Sequence, residues 1–167
     1  MSVRRFALFA LLLVAPTACS TRTVEAPPPS MGAQLSVERF LQASNQHDVV
    51  EMGNLFGTYD GPVMDTGSTM GCAFKKIGSW FGGSACQSRQ AVEIRMDAIA
   101  SILEHRDYQI VGQSRVAGRL HPTQRVMVDM TTADGENVAG VPFTVVQTSN
   151  GYWLIEQVDL QAAMTSR

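Results

Sequence analysis

The chain predicts an α+β domain in which three helices, all N-terminal to the strands, pack on a curved, mainly antiparallel sheet of four or more strands. Apolar stripes at helical spacing recur between Leu35 and His105, and four β-rich runs of strand length fill Tyr108 to Leu160. Short turn signals separate those runs, which suits hairpins and therefore antiparallel neighbours.

The first helix is expected over Leu35–Gln46, where Val37, Phe40, Leu41 and Ser44 fall on one face. Asp48-Val49-Val50-Glu51 has the spacing of a capping box, with Asp48 accepting from the Glu51 amide and Glu51 reaching back. It opens a short second helix carrying Met52, Leu55 and Phe56, which stops at Gly57. Ser88 caps a longer third helix over Arg89–His105, with Val92, Met96, Ile99 and Leu103 as its buried face. Strands follow over Tyr108–Ala117, Gln124–Thr132, Val138–Thr148 and Tyr152–Leu160. His121-Pro122, Asp134-Gly135 and Asn150-Gly151 mark the turns, since Asn-Gly and Asp-Gly tolerate positive φ.

The N-terminus has a different organisation. Arg4 and Arg5 precede an apolar run from Phe6 to Ala15 and a small-residue exit at Thr17-Ala18-Cys19. A run of about ten residues fits the h-region of an export signal and is half the roughly 20 that a spanning helix needs. The exit resembles the lipobox of bacterial lipoproteins, although Pro16 stands where a branched aliphatic residue is usual. That resemblance implies cleavage after residue 18, a lipid on the Cys19 thiol with palmitate-type acyl chains, and attachment to the membrane through it. The other reading is an ordinary signal peptide cut nearby, with Cys19 incidental. Ser20 after the cysteine favours the outer membrane, facing the periplasm, under the enterobacterial sorting rule. Residues 19–34, with Pro27-Pro28-Pro29 and almost no large apolar side chain, read as a semi-rigid tether. The single domain is expected over 35–162, with an insertion at 57–87 and a short tail at 163–167.

Charge and composition narrow the function classes. The chain carries 13 Lys and Arg against 15 Asp and Glu, and loss of Arg4 and Arg5 with the signal takes its net charge from −2 to about −4. Its only lysines are Lys75 and Lys76, and no basic stripe interleaved with aromatics is present, so nucleic acid is not an expected partner. No H-x-x-H, H-E-x-x-H or Cys/His cluster occurs, and neither a G-x-S-x-G elbow nor a phosphate-binding glycine loop between strand and helix is found. No metal or cofactor is expected. With Cys19 acylated, Cys72 and Cys86 are left as an even pair in an oxidising compartment. A disulfide between them closes a loop of about 15 residues, worth roughly 3 kcal/mol on chain-entropy grounds. The enclosed glycine-rich stretch exposes Phe74, Trp80 and Phe81 as an interaction surface unless the domain covers them.

The order of elements resembles the nuclear-transport-factor-2-like superfamily, the cone-shaped α+β fold shared with ketosteroid isomerase and the SnoaL-type cyclases. The resemblance lies in "SVERFLQASNQHDVVEMGNLFGT", "RQAVEIRMDAIASILEHRDYQIVG" and "FTVVQTSNGYWLIEQVDL". It implies a cavity between sheet and helices, holding in some members a small apolar ligand, and in the isomerase-like enzymes an Asp base with a phenol and a protonated acid around the oxyanion. It also implies that a homodimer through the sheet is open to this chain.

Asp48, Asp60, Asp65, Asp129 and Glu156 are the carboxylates, and Tyr59, Tyr108 and Tyr152 the phenols, from which such a set would have to come. None falls on a catalytic motif of the family. Val126, Val128 and Met130 share a strand face, which puts Asp129 on the other, solvated one. Glu156 alternates with Tyr152, Leu154, Val158 and Leu160, so it is the one candidate base on an apolar face; an edge position or a cross-strand arginine is the alternative. The histidines have structural roles to hand: His47 before a cap, His105 as a cation at a helix end, His121 before a proline.

Three functions follow as expectations: binding, of a small apolar ligand or of an envelope protein; isomerase or cyclase chemistry; or structural assembly through Trp80 and Phe81. Non-reducing peptide mapping of exported protein should recover Cys72 and Cys86 in one linked species that separates on reduction; free thiols at both would remove the staple.

Overall fold

The computed structural model describes residues 32–65 and 88–164. In it, α1 (Ala33–Asn45) and α2 (Val49–Leu55) lead into a small hairpin of β1 (Gly57–Thr58) and β2 (Gly61–Pro62). After the interval at 66–87 come α3 (Arg89–Leu103), β3 (His105–Arg115), β4 (Thr123–Thr132), β5 (Asn137–Gln147), β6 (Trp153–Val158) and a short α4 (Leu160–Met164). Strands β3 to β6 form an antiparallel meander in sequence order. The α+β class and the four-stranded antiparallel sheet are thus as the sequence predicts. Cys19, Cys72, Cys86, Phe74, Trp80 and Phe81 lie outside the described residues.

Both expected N-caps form. Asp48 Oδ1 accepts from the Glu51 amide at 3.0 Å, and Ser88 Oγ from the Ala91 amide at 3.2 Å, each worth about 1 kcal/mol to its helix. The reciprocal half of the capping box does not form. The Glu51 carboxylate turns to Arg39 on α1, and the Asp48 amide bonds the Ala43 carbonyl at 2.9 Å. A guanidinium within reach offers the carboxylate an opposite charge as well as donors, which a neutral amide does not. Between the two helices His47 takes φ 49°, the left-handed region, and its Nδ1 lies 3.1 Å from Asp97 on α3.

One core joins the helices to one face of the sheet. Val37, Phe40 and Leu41 of α1, Met52 and Leu55 of α2, and Val92, Ala100 and Leu103 of α3 meet Val126, Val128, Val141, Phe143, Val145 and Ile155. Phe40 packs edge-on to Phe143 and tilted against Phe56. The two buried hydroxyls of α1 are both bonded outward to neighbouring elements: Ser36 Oγ to the Trp153 carbonyl at 2.8 Å, and Ser44 Oγ to the Ala100 carbonyl at 3.4 Å.

The hairpin turns have one construction. In each of 132–136 and 148–152 the outer residues pair, and a glycine at φ 90° (Gly135) or 85° (Gly151) returns its amide to the first carbonyl. Positive φ falls on the glycine alone, so these are three-residue loops with a bulged glycine and not two-residue turns. Strand phase is also interrupted. Val128 pairs with Val141 but Met130 with Val138, leaving Asp129 opposite two residues; its carboxylate accepts the freed Gly140 amide at 2.7 Å. Asp129 does lie on the outer face, but it is half-buried and plugs a bulge, where a freely solvated group was expected.

The joint between α3 and β3 differs from the expectation most clearly. The helix ends at Leu103, and His105 is the first residue of β3, 7% exposed, not a solvent-facing cation at a helix end. Asn45, at the last turn of α1, takes the His105 amide on Oδ1 at 3.0 Å and gives Nδ2 to the His105 carbonyl at 2.9 Å. The same Nδ2 lies 3.3 Å from Nε2 of the ring, whose Nδ1 is 2.8 Å from the Leu103 carbonyl. These contacts fit a ring with its proton on Nδ1, given to the Leu103 carbonyl, and Nε2 accepting from Asn45. Truncating Asn45, itself exposed, leaves both backbone groups of the buried His105 without that partner in a part-buried setting. Asn45→Ala should therefore lower the unfolding free energy by about 1–3 kcal/mol in urea titration, without changing the slope of the transition.

Candidate functional site

Glu156, the sequence's candidate base, sits on β6 at the edge of the sheet. A register shift between Thr144 and Val145 breaks the alternation from which its apolar setting was inferred, and Leu154 and Ile155 are consecutive buried residues. Its carboxylate pairs with Arg119 from the turn after β3 and is 27% exposed. This is the alternative of an edge position with an arginine partner. Exposed pairs of this kind contribute about 0–1 kcal/mol and fix local geometry more than they stabilise.

The phenols are distributed among three settings. Tyr59, in the β1–β2 turn, stacks on His121 with ring centroids 3.4 Å apart and planes 10° from parallel. The stack pins the small hairpin to the turn between β3 and β4. Tyr108 lies edge-on to His105 at 5.3 Å. Its phenol is held above the ordinary tyrosine range, first by partial burial and then by the negative charges of Glu38 and Asp107, both of which oppose a phenolate. Tyr152 leads into β6.

Tyr152, Asp60 and Asp65 line one cavity of about 270 Å³, which opens between the β1–β2 hairpin and the β5–β6 turn. Leu154 and Pro62 give it an apolar wall, while Asn54 and Thr148 add an amide and a hydroxyl. Leu154 is 2% exposed, whereas both carboxylates are exposed at the mouth. Among the described residues, none that lines it is cationic. The close approach behind it requires a glycine: a Cβ on Gly57 would stand 2.3 Å from the Gly61 carbonyl oxygen. Sequence reading placed Asp60, Asp65 and Tyr152 among its candidates but did not bring them together, because no periodicity links a two-residue strand to a turn some 90 positions later.

Further surface cavities lie elsewhere, among them two at the sheet. One, of about 240 Å³, is bordered by Asp107, Tyr108, Asp129 and Val138, and one, of about 330 Å³, lies on the outer sheet face around Arg125, Met127 and Pro142. The space between sheet and helices is occupied by Phe40, Phe143, Leu41, Met52 and Leu55, all without solvent exposure. Among the described residues no three His, Cys, Asp or Glu side chains are placed to hold a metal, and no helix is long and apolar enough to cross a membrane.

No family model matches the chain, and no curated protein or solved structure matches it.

The Tyr108 setting has a consequence at high pH. A phenol whose folded-state value is raised holds its proton more tightly in the folded state, so its contribution is complete below the unfolded value near 10 and is lost as pH rises through the higher folded value. Absorbance titration of Tyr108→Phe should lose one phenol that ionises above the ordinary tyrosine range, and its stability should fall less steeply above pH 10 than that of the parent.

Proposed function

We propose that this chain is a lipid-tethered protein of the bacterial envelope whose folded domain acts by binding. The address comes from the sequence: the basic start, the short apolar run, Ala18-Cys19 and the proline-rich stretch behind it. The mode of action rests on one structural observation, the filling of the interlayer space by Phe40, Phe143 and their neighbours. Carbon-acid chemistry needs a base and an electrophile facing each other in a desolvated cleft. Glu156 is instead committed to Arg119, and the carboxylates that do share a cavity stand exposed at its mouth. Of the two binding expectations, a filled interior favours contact at the surface, with an envelope protein, over a small apolar ligand inside.

The order α1, α2, hairpin, α3 and meander also supports a cone-like arrangement of the nuclear-transport-factor-2-like kind. Element order alone carries that reading, and such folds host many unrelated functions.

Fractionation tests the tether directly. In a bacterial host that processes lipoproteins, the parent chain should partition with the membrane and yield an N-terminal peptide bearing acyl chains on Cys19, while Cys19→Ser should appear in the soluble fraction. An unmodified Cys19 in the parent, or equal partition of both forms, would overturn the lipoprotein assignment. Crosslinking in intact envelope should then give protein adducts through the folded domain, and extraction of a stoichiometric apolar small molecule instead would reverse the choice between ligand and partner.

A further inference from the structure

The β5–β6 turn carries a modification site that depends neither on the tether nor on the binding role. We propose that Asn150 is converted to an acid by its own backbone: the Gly151 nitrogen attacks the Asn150 side-chain carbonyl, and water opens the resulting ring.

The four asparagines of the chain differ in how far each is committed. Asn45 spends its amide on the backbone of His105, and Asn137 Oδ1 accepts from Thr131 Oγ1 at 3.0 Å. Asn54 lies inside α2, where the next residue, Leu55, is fully buried. Asn150 is exposed in its loop, and its side chain has no hydrogen bond among the described residues. Gln46, Leu55 and Val138 follow the other three asparagines, and a following side chain shields the nucleophilic nitrogen. Gly151 has none, and the space beside it is open: even an added Cβ would meet nothing within 4 Å.

Attack needs the Asn150–Gly151 peptide to rotate, and one bond restrains it. The Gly151 amide donates to the Thr148 carbonyl at 3.0 Å. The pair outside it is closed separately, by the Thr148 amide on the Tyr152 carbonyl at 2.8 Å and the Tyr152 amide on the Thr148 hydroxyl at 3.2 Å. The loop tip can therefore open without loosening β5 from β6.

The step needs no reactant but water. A bond forms between the Gly151 nitrogen and Asn150 Cγ, the Cγ–Nδ2 bond breaks, and Nδ2 leaves as ammonia with the proton of the Gly151 amide. Water then adds to one of the two ring carbonyls. Opening at Cγ gives aspartate; opening at the backbone carbonyl gives isoaspartate, with the main chain routed through Cβ and Cγ. Nothing is oxidised or reduced.

The chain already contains the turn of the first product. At 132–136 the same loop is built on Asp134-Gly135, with the Gly135 amide 2.9 Å from the Thr132 carbonyl. Aspartate at position 150 keeps that geometry and adds a negative charge. Isoaspartate instead lengthens a three-residue loop by one methylene, which the Thr148–Tyr152 pair at the start of edge strand β6 has to absorb.

The test is to age the full chain at neutral and mildly alkaline pH beside a synthetic Thr-Ser-Asn-Gly-Tyr peptide, and to map both by mass spectrometry. Acid should accumulate at Asn150 before the other asparagines and faster at the higher pH. Its rate should be about tenfold below that of the peptide, because one hydrogen bond must open first. In water enriched in heavy oxygen each product should carry one solvent oxygen, and aspartate and isoaspartate should both form. Asn150→Gln, which would need a larger ring, should stay unmodified, and Asn150→Asp should keep the parent amide spectrum beyond the turn. Acid appearing first at Asn45, Asn54 or Asn137, an Asn150 still intact long after the peptide is fully converted, or aspartate as the sole product would each overturn the assignment.

Discussion

A single side-chain amide holds together the point where the helical half of this domain becomes its sheet. Only Glu104 separates α3 from β3, so the chain leaves a helix and enters an edge strand with no loop to absorb misalignment. Asn45 resolves this from across the structure by bonding both backbone groups of His105, doing for one residue what a neighbouring strand does along a ladder. The His105 ring then spans from Asn45 to Leu103, so α1, α3 and β3 share one polar junction. Everything downstream takes its register from β3: β4 pairs with it, β5 with β4, and β6 with β5.

Much of this was legible in the sequence, and the boundary has physical causes. Caps at Asp48 and Ser88, the α3 stripe and the two glycine turns are local devices whose residues lie within four positions of one another. Their signals survive without tertiary context. The misread residues are those whose partners are distant. Glu51 satisfied a local rule but met Arg39; His105 fitted a helix end but was claimed by Asn45, 60 residues earlier. Strand phase failed for a different reason. One bulge at Asp129 and another between Thr144 and Val145 each add a residue, and a one-residue slip inverts every inference about faces beyond it. Glu156 was placed on an apolar face by counting through that second irregularity.

The candidate site shows the same limit in sharper form. Asp60 belongs to the turn of a hairpin two residues deep, Asp65 lies three residues beyond it, and Tyr152 belongs to a turn that any hairpin might carry. Each is unremarkable alone. They converge because β1 runs beside β6, through the parallel bridge of Phe56 with Ile155, and because an aromatic stack holds the hairpin tip. The cavity is thus formed by two surface segments fixed to a closed core, the usual division between a scaffold that packs and the connections it carries.

The bond from Ser36 to the Trp153 carbonyl would acquire a mechanical meaning if the chain is held by its N-terminus as proposed above. The described residues begin at Gly32, one turn before that bond, so tension applied there would reach β6 through a part-buried hydrogen bond and the packing of Val37 and Phe40 behind it. β6 is an edge strand, secured to the sheet along β5 only. Load applied at Gly32 would therefore be felt first at the rim bearing the Thr148–Tyr152 loop, and the far edge at β3 would be the last to sense it.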